Sequence, residues 1–125
     1  MKRYYICLLG LILVLAPALQ TAIATELNPL KPVELKAMLA NKDFFLLDVH
    51  IPEQTHIPGT DAFIDFRKIR ENIDRLPAAK DTKIVVYCLG GHMGRIAGFE
   101  LIKLGYTDVF ELKGGKLAFN RLSPQ

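Results

Sequence analysis

Cys88 carries the chemistry that this sequence most directly offers. It closes the run Ile84-Val85-Val86-Tyr87-Cys88 and opens the stretch Leu89-Gly90-Gly91-His92-Met93-Gly94-Arg95. The run reads as a strand and the residues from Gly94 onward as a helix, so the thiol stands where a strand passes through a glycine loop into a helix. In open parallel α/β sheets, ligands bind outside the carboxyl ends of the strands. The backbone N–H groups of a tight glycine loop and a helix N-terminus together create positive potential. That potential stabilises a thiolate and can hold an anionic sulfur or oxygen group. The opposing reading is a lone cysteine that merely fills space at a strand end, and the residues by themselves leave both open. His92 either lends positive charge to the thiolate, more so below neutral pH, or faces solvent. Arg95 either reaches the loop mouth or points away along the helix. Asp48 ends a second apolar run, either as a solvent-side carboxylate or as an acceptor that orders the loop after it.

A thiol so placed needs a sheet beneath it. Residues 44–49, Phe-Phe-Leu-Leu-Asp-Val, form a short apolar run that reads as a strand buried on both faces. Residues 83–88 are the clearest strand, residues 109–112 another, and residues 60–64 a short one. Between them the spacing predicts helices. Pro32 opens one over residues 32–40, with Val33, Leu35, Met38 and Leu39 on its apolar side. Phe66, Ile69, Ile73 and Leu76 recur three or four apart, which predicts an amphipathic helix over residues 66–76, stopped by Pro77. A further helix runs from near Gly94 to Leu104, with Gly105 as its C-terminal cap. Gly114-Gly115 break the chain before a last helical turn or two over residues 116–122. Residues 25–31, polar with Pro29, read as a lead-in. Strands alternating with helices imply an α/β domain, a parallel sheet covered on both faces with right-handed crossovers.

The 125 residues suit one domain. Lys2 and Arg3, the apolar run from Tyr4 to Leu15, Pro17, and the small-x-small site Ala22-Ile23-Ala24 follow the order of a secretory signal peptide over residues 1–24. The alternative is an uncleaved membrane anchor, for which the run is short. Export, into the periplasm if the source is bacterial, is the expectation. The formal charge is +3, and losing Lys2 and Arg3 leaves +1, so no basic stripe argues for nucleic acid. Cys7 lies inside the signal, leaving Cys88 as the mature chain's single cysteine and no intramolecular disulfide. The histidines and the cysteine lie too far apart for metal-ligand spacing, and no phosphate-binding motif is present.

Several short pieces, in their order and spacing, resemble a single-domain rhodanese-like sulfurtransferase over residues 32–122. Leu46-Leu47-Asp48-Val49 resembles the family's first-strand motif. Pro52-Glu53 followed by His56-Ile57-Pro58-Gly59-Thr60 resembles its His-Ile-Pro-Gly-Ala signature, and Ile84 to Cys88 its catalytic strand. Leu104-Gly105-Tyr106-Thr107-Asp108-Val109 and Leu112-Lys113-Gly114-Gly115 resemble its closing motifs. The resemblance implies a rhodanese-like domain over residues 32–125 with a five-stranded parallel sheet flanked by helices. It also implies sulfur transfer without a cofactor. Cys88 would take the outer sulfur of a donor (thiosulfate, polysulfide or a protein persulfide) as a covalent persulfide. It would then pass the sulfur to cyanide, a small thiol or a partner protein's thiol. The implied site is Cys88 with Leu89, Gly90, Gly91, His92, Met93, Gly94 and Arg95 around the sulfur, supported by Asp48 and His50, while His56 fixes a local turn.

The chain departs from the family pattern in two places. The loop usually carries one or two arginines, where this chain has Leu89, His92 and Met93, its nearest arginine being Arg95. A doubly negative donor gains from a fixed cation, so the departure favours a protein persulfide, a polysulfide or a neutral thiol donor. His50 follows Asp48-Val49 where arginine is usual, and the stretch to His56 is shorter than the common form. The missing arginines also favour an alternative, a non-catalytic sulfur carrier or thiol-binding module docking with a partner protein. A phosphatase or arsenate reductase would need the cation that this loop lacks. A dithiol oxidoreductase would need a second cysteine.

Overall fold

The computed structural model describes residues 25–122. The export signal read over residues 1–24 lies outside the described residues. Nine elements follow in order: β1 (Asn28–Leu30), α1 (Pro32–Leu39), β2 (Phe45–Asp48), β3 (Ala62–Phe63), a 3₁₀ segment (Arg70–Arg75), β4 (Ile84–Tyr87), α2 (His92–Lys103), β5 (Val109–Leu112) and α3 (Gly115–Asn120). The five strands make one parallel sheet in the order β1-β5-β4-β2-β3. β4, the cysteine-bearing strand, lies in the middle.

Both faces of the sheet are covered, as its apolar strands require. Successive side chains of β4 alternate between two cores. Ile84 and Val86, followed by Cys88, pack with Leu47, Val49, Ile69, Ala97 and Leu101 on the α2 side. Val85 and Tyr87 pack with Leu30, Leu35, Leu46, Ile57 and Leu112 on the α1 and α3 side. The alternation aims the cysteine and the tyrosine before it at opposite layers, which matters for the site.

Two expectations need correction. Residues 25–31 are not a bare lead-in, because Asn28–Leu30 pair in parallel with Phe110, Glu111 and Leu112 and form the sheet's edge. Pro29 is tolerated because an edge strand leaves one side unpaired. Lys113 N donates to Leu30 O (2.9 Å) and the Asn28 side chain to Val109 O (3.3 Å), anchoring the strand. The amphipathic helix expected over residues 66–76 is instead a run of turns and the short 3₁₀ segment, broken at Asn72 (φ −114°, ψ 28°). Side chains there compete with the helical ladder. The Asp65 carboxylate accepts the Arg67 N–H (2.9 Å), and the Asn72 amide donates to Lys68 O (2.8 Å). Leu76, preceding Pro77, is extended. The apolar positions still anchor the segment through Ile69 and Leu76, which are buried, whereas Ile73 is exposed.

Candidate active site

Cys88 lies at the carboxyl end of β4 with 2 % of its surface exposed, and its thiol is free. Gly91 N donates to Cys88 Sγ at 3.0 Å. The donor is aimed by Gly91's left-handed backbone (φ 114°), which also turns the chain into α2. α2 begins at His92, two residues earlier than Gly94, so its N-terminus sits immediately beyond the sulfur. Gly94 lets that helix lie close to β4, because a Cβ there would stand 3.4 Å from the backbone of Tyr87 and Cys88.

Cys88 helps to line a cavity of about 300 Å³, together with His50, Leu89, Gly90, His92, Met93 and Leu117. A larger cavity of about 640 Å³ runs along β3 between Glu53, His56, Asp65, Lys68 and Arg75. Its acidic groups are engaged elsewhere, Asp61 with Lys42, Asp65 with Arg67 and Glu53 with His56, and it holds no cysteine. The smaller cavity is the candidate because Cys88 is in its wall.

Most of the expected residues meet there. Leu89, Gly90, His92, Met93 and His50 line the cavity; Gly91 and Gly94 are outside its lining, the first donating to the sulfur and the second letting α2 approach β4. Arg95 does not join them. Its guanidinium lies 5.9 Å from the Phe99 ring centre, and its side chain lines a separate recess with Leu27, Pro29, Glu111 and Lys113. An arginine and an aromatic ring four residues apart share one helix face, which draws Arg95 away from the sulfur.

Asp48 is fully buried and works as the organiser of the loop after β2. Its Oδ1 accepts the His50 N–H (3.0 Å), its Oδ2 lies 2.8 Å from His56 Nδ1, and Gln54 Nε2 reaches both oxygens. His56 Nε2 in turn meets Glu53 Oε1 at 3.0 Å. The hydrogen bond to Asp48 raises the His56 pKa above its usual value; desolvation opposes this and Glu53 adds to it. The histidine fixes the turn without touching the thiol.

Three contributions were not legible in the sequence. Tyr87 sends its hydroxyl through the opposite layer, where it accepts the Ile57 N–H (2.9 Å) and meets Thr60 Oγ1 (2.7 Å). Burial raises its pKa above the ordinary tyrosine range, outweighing the hydrogen bonds that lower it. The start of α3 holds the cysteine loop from the side. Lys116 N donates to Cys88 O (2.9 Å) and Leu117 N to Leu89 O (3.0 Å), so amides that a helix end leaves unpaired are satisfied by the loop. Leu117 completes the cavity wall, and Lys116 Nζ donates to Thr55 O across the β2–β3 loop. Their only sequence signal is Gly114-Gly115, which permits the approach without identifying the partner. Among the described residues, no group of three or more His, Cys, Asp or Glu side chains comes together to hold a metal ion.

The comparisons agree with this fold. A model of the rhodanese-like domain matches residues 31–122. A tRNA uridine(34) hydroxylase of Cytophaga hutchinsonii is 32% identical over 95 residues, covering 72% of this chain and 30% of that protein. The match spans between 21% and 30% of the length of these curated relatives. Among solved structures, a rhodanese-like domain protein from Staphylococcus aureus superposes with a TM-score of 0.66 at 24% identity, over 75% of this chain and 92% of that one. An NAD-dependent persulfide reductase from A. fulgidus gives a TM-score of 0.61 at 30% identity, over 75% of this chain and 16% of that one. With a five-stranded parallel sheet, a cysteine loop at the end of its central strand and a matching family model over most of its length, this chain belongs to the rhodanese-like domain family.

Proposed function

We propose that the chain is a sulfurtransferase working through a persulfide on Cys88. The observation that carries this is the position of Cys88 in the lining of a cavity, with the Gly91 N–H directed at its Sγ. In the first step the Cys88 thiolate attacks the outer sulfur of a donor, thiosulfate, polysulfide or a protein persulfide. The new Sγ–S bond forms as the donor's S–S bond breaks, and the electron pair leaves with the donor remnant. In the second step an acceptor, cyanide, a small thiol or a partner protein's thiol, attacks the outer sulfur and returns the Cys88 thiolate. The Gly91 N–H, with the start of α2 behind it, offers a fixed donor to whichever sulfur bears the charge.

Intact-mass measurement on the full chain after incubation with polysulfide tests the reading. The wild type gains a sulfur atom that a thiol reductant removes, and Cys88→Ser gains none. If an alkylating agent reaches Cys88 but no sulfur donor loads it, the reading fails.

A second reading has its own support: among the described residues, no arginine or lysine lines the cavity. In that reading Cys88 carries sulfur to a docked partner without turning over small donors, and loading without cyanide-dependent turnover would favour it. Export belongs to the proposal on the strength of the order of residues in 1–24. N-terminal sequencing of the mature protein checks it, with cleavage expected after Ala24.

A further inference from the structure

We propose that the Cys88 cavity is built for an organic hydropersulfide with an uncharged, apolar group, R–S–SH, in preference to thiosulfate. The proposal rests on the persulfide reading above and names its donor. The walls are Leu89, Met93 and Leu117, and among the described residues of the lining only His50 and His92 have side chains that can carry positive charge. The nearby cations are committed elsewhere: Arg95 lies against Phe99, and Lys116 Nζ is bound to Thr55 O. A thiosulfate dianion entering here gives up hydration with the Gly91 N–H as the one donor seen on the sulfur, and an anion so poorly paired is disfavoured. An apolar R group gains from the same walls by leaving water. At about 300 Å³ the cavity is at the small end of organic-ligand sites, and it offers far more room than thiosulfate fills. Leu117 is 47% exposed at the mouth, so an R group longer than the cavity can continue outward across it.

The chemistry needs no co-reactant. The Cys88 thiolate attacks the outer sulfur of R–S–SH. The Sγ–S bond forms, the S–S bond between the outer and inner sulfurs of the donor breaks, and its electron pair leaves with the inner sulfur as R–S⁻. The outer sulfur keeps its hydrogen, so Cys88 becomes Cys–S–SH, and the released thiolate takes a proton from water.

The test measures Cys88 loading by intact mass on the full chain, with butyl hydropersulfide, cysteine hydropersulfide and thiosulfate as donors. The two hydropersulfides share the reacting S–SH group and differ in the charge on R. The butyl compound is expected to load at least about tenfold faster than the cysteine compound, the discrimination an apolar pocket achieves, with thiosulfate slower still. Met93→Arg and Leu117→Arg each add a cation to the wall. Both are expected to slow butyl loading and speed thiosulfate loading by about tenfold, and Leu117, being half exposed, accepts the change without refolding the core. Equal loading by the two hydropersulfides, or wild-type loading by thiosulfate as fast as by the butyl compound, overturns the proposal while leaving the persulfide reading intact. Failure of every donor to load a thiol that alkylation reaches overturns both.

Discussion

Cys88 and Tyr87 are neighbours in sequence with opposite tasks, and the strand's alternation separates them. One side chain faces the cavity; the other reaches through the sheet to hold the β2–β3 loop that contributes His50 to the rim. Tyr87→Phe removes the acceptor of the Ile57 N–H and leaves that buried amide unpaired. The expected cost is about 2 kcal/mol, read from the urea midpoint, with Cys88 still reactive because the thiol's own contacts are unchanged. At this scale the sequence was informative about the nucleophile and its glycines. It was ambiguous about Arg95 because a helical arginine has several rotamers, and the choice fell to the ring of Phe99 four residues on. Asp48 was legible as a candidate organiser, yet only its burial among Gln54, His56 and the His50 amide fixes that role.

Among the elements, α3 is short but occupies the position that holds the site together. Gly115 has φ +60°, and a Cβ on it would stand 2.5 Å from Leu89 O and 2.7 Å from Cys88 O. Neither atom belongs to a side chain that can swing away. Gly115→Ala is therefore expected to cost about 3 kcal/mol, from the left-handed backbone plus the displaced loop. It should also change the rate at which an alkylating agent modifies Cys88, a readout that loss of stability alone would not move under native conditions. The edge strand β1 and the broken segment at residues 66–76 mark where sequence reading of elements fails. Three residues around a proline carry no periodicity, and their strand exists only because β5 offers an open edge. The 66–76 segment has the right apolar spacing for a helix, but Asp65, Asn72 and Pro77 each take a backbone position out of the ladder.

For the molecule as a whole, pH acts through two groups that line the cavity along β3. The His56 pKa is raised in the fold, chiefly by the Asp48 carboxylate. Protonated His56 therefore stabilises the native state. That contribution is complete below the unfolded value of about 6.5 and is lost as pH rises through the higher folded value. The urea midpoint is expected to fall as pH rises above the unfolded value, and His56→Gln should flatten that slope. Asp65 behaves oppositely. The Arg67 side chain, and then its backbone N–H, lower the Asp65 pKa from 3.8 to about 2. Its contribution is present above 3.8 and is lost as pH falls toward about 2. Arg67 is exposed, so this acid-side loss should be small and should shrink with added salt.

The sequence by itself determined the fold class and singled out the candidate cysteine. Apolar runs too short for helices and apolar on both faces dictate buried parallel strands, and a cysteine followed by glycines at the end of the middle run marks the site. Those are local properties, written in neighbouring residues. Tertiary structure alone decided what surrounds the sulfur. Leu117 arrives from 29 positions downstream, His50 from the loop of another strand, and Arg95 is turned aside by a ring on its own helix. The walls of a cavity come from segments that meet only after the sheet has assembled, so its charge and shape have no signature in any one stretch of chain.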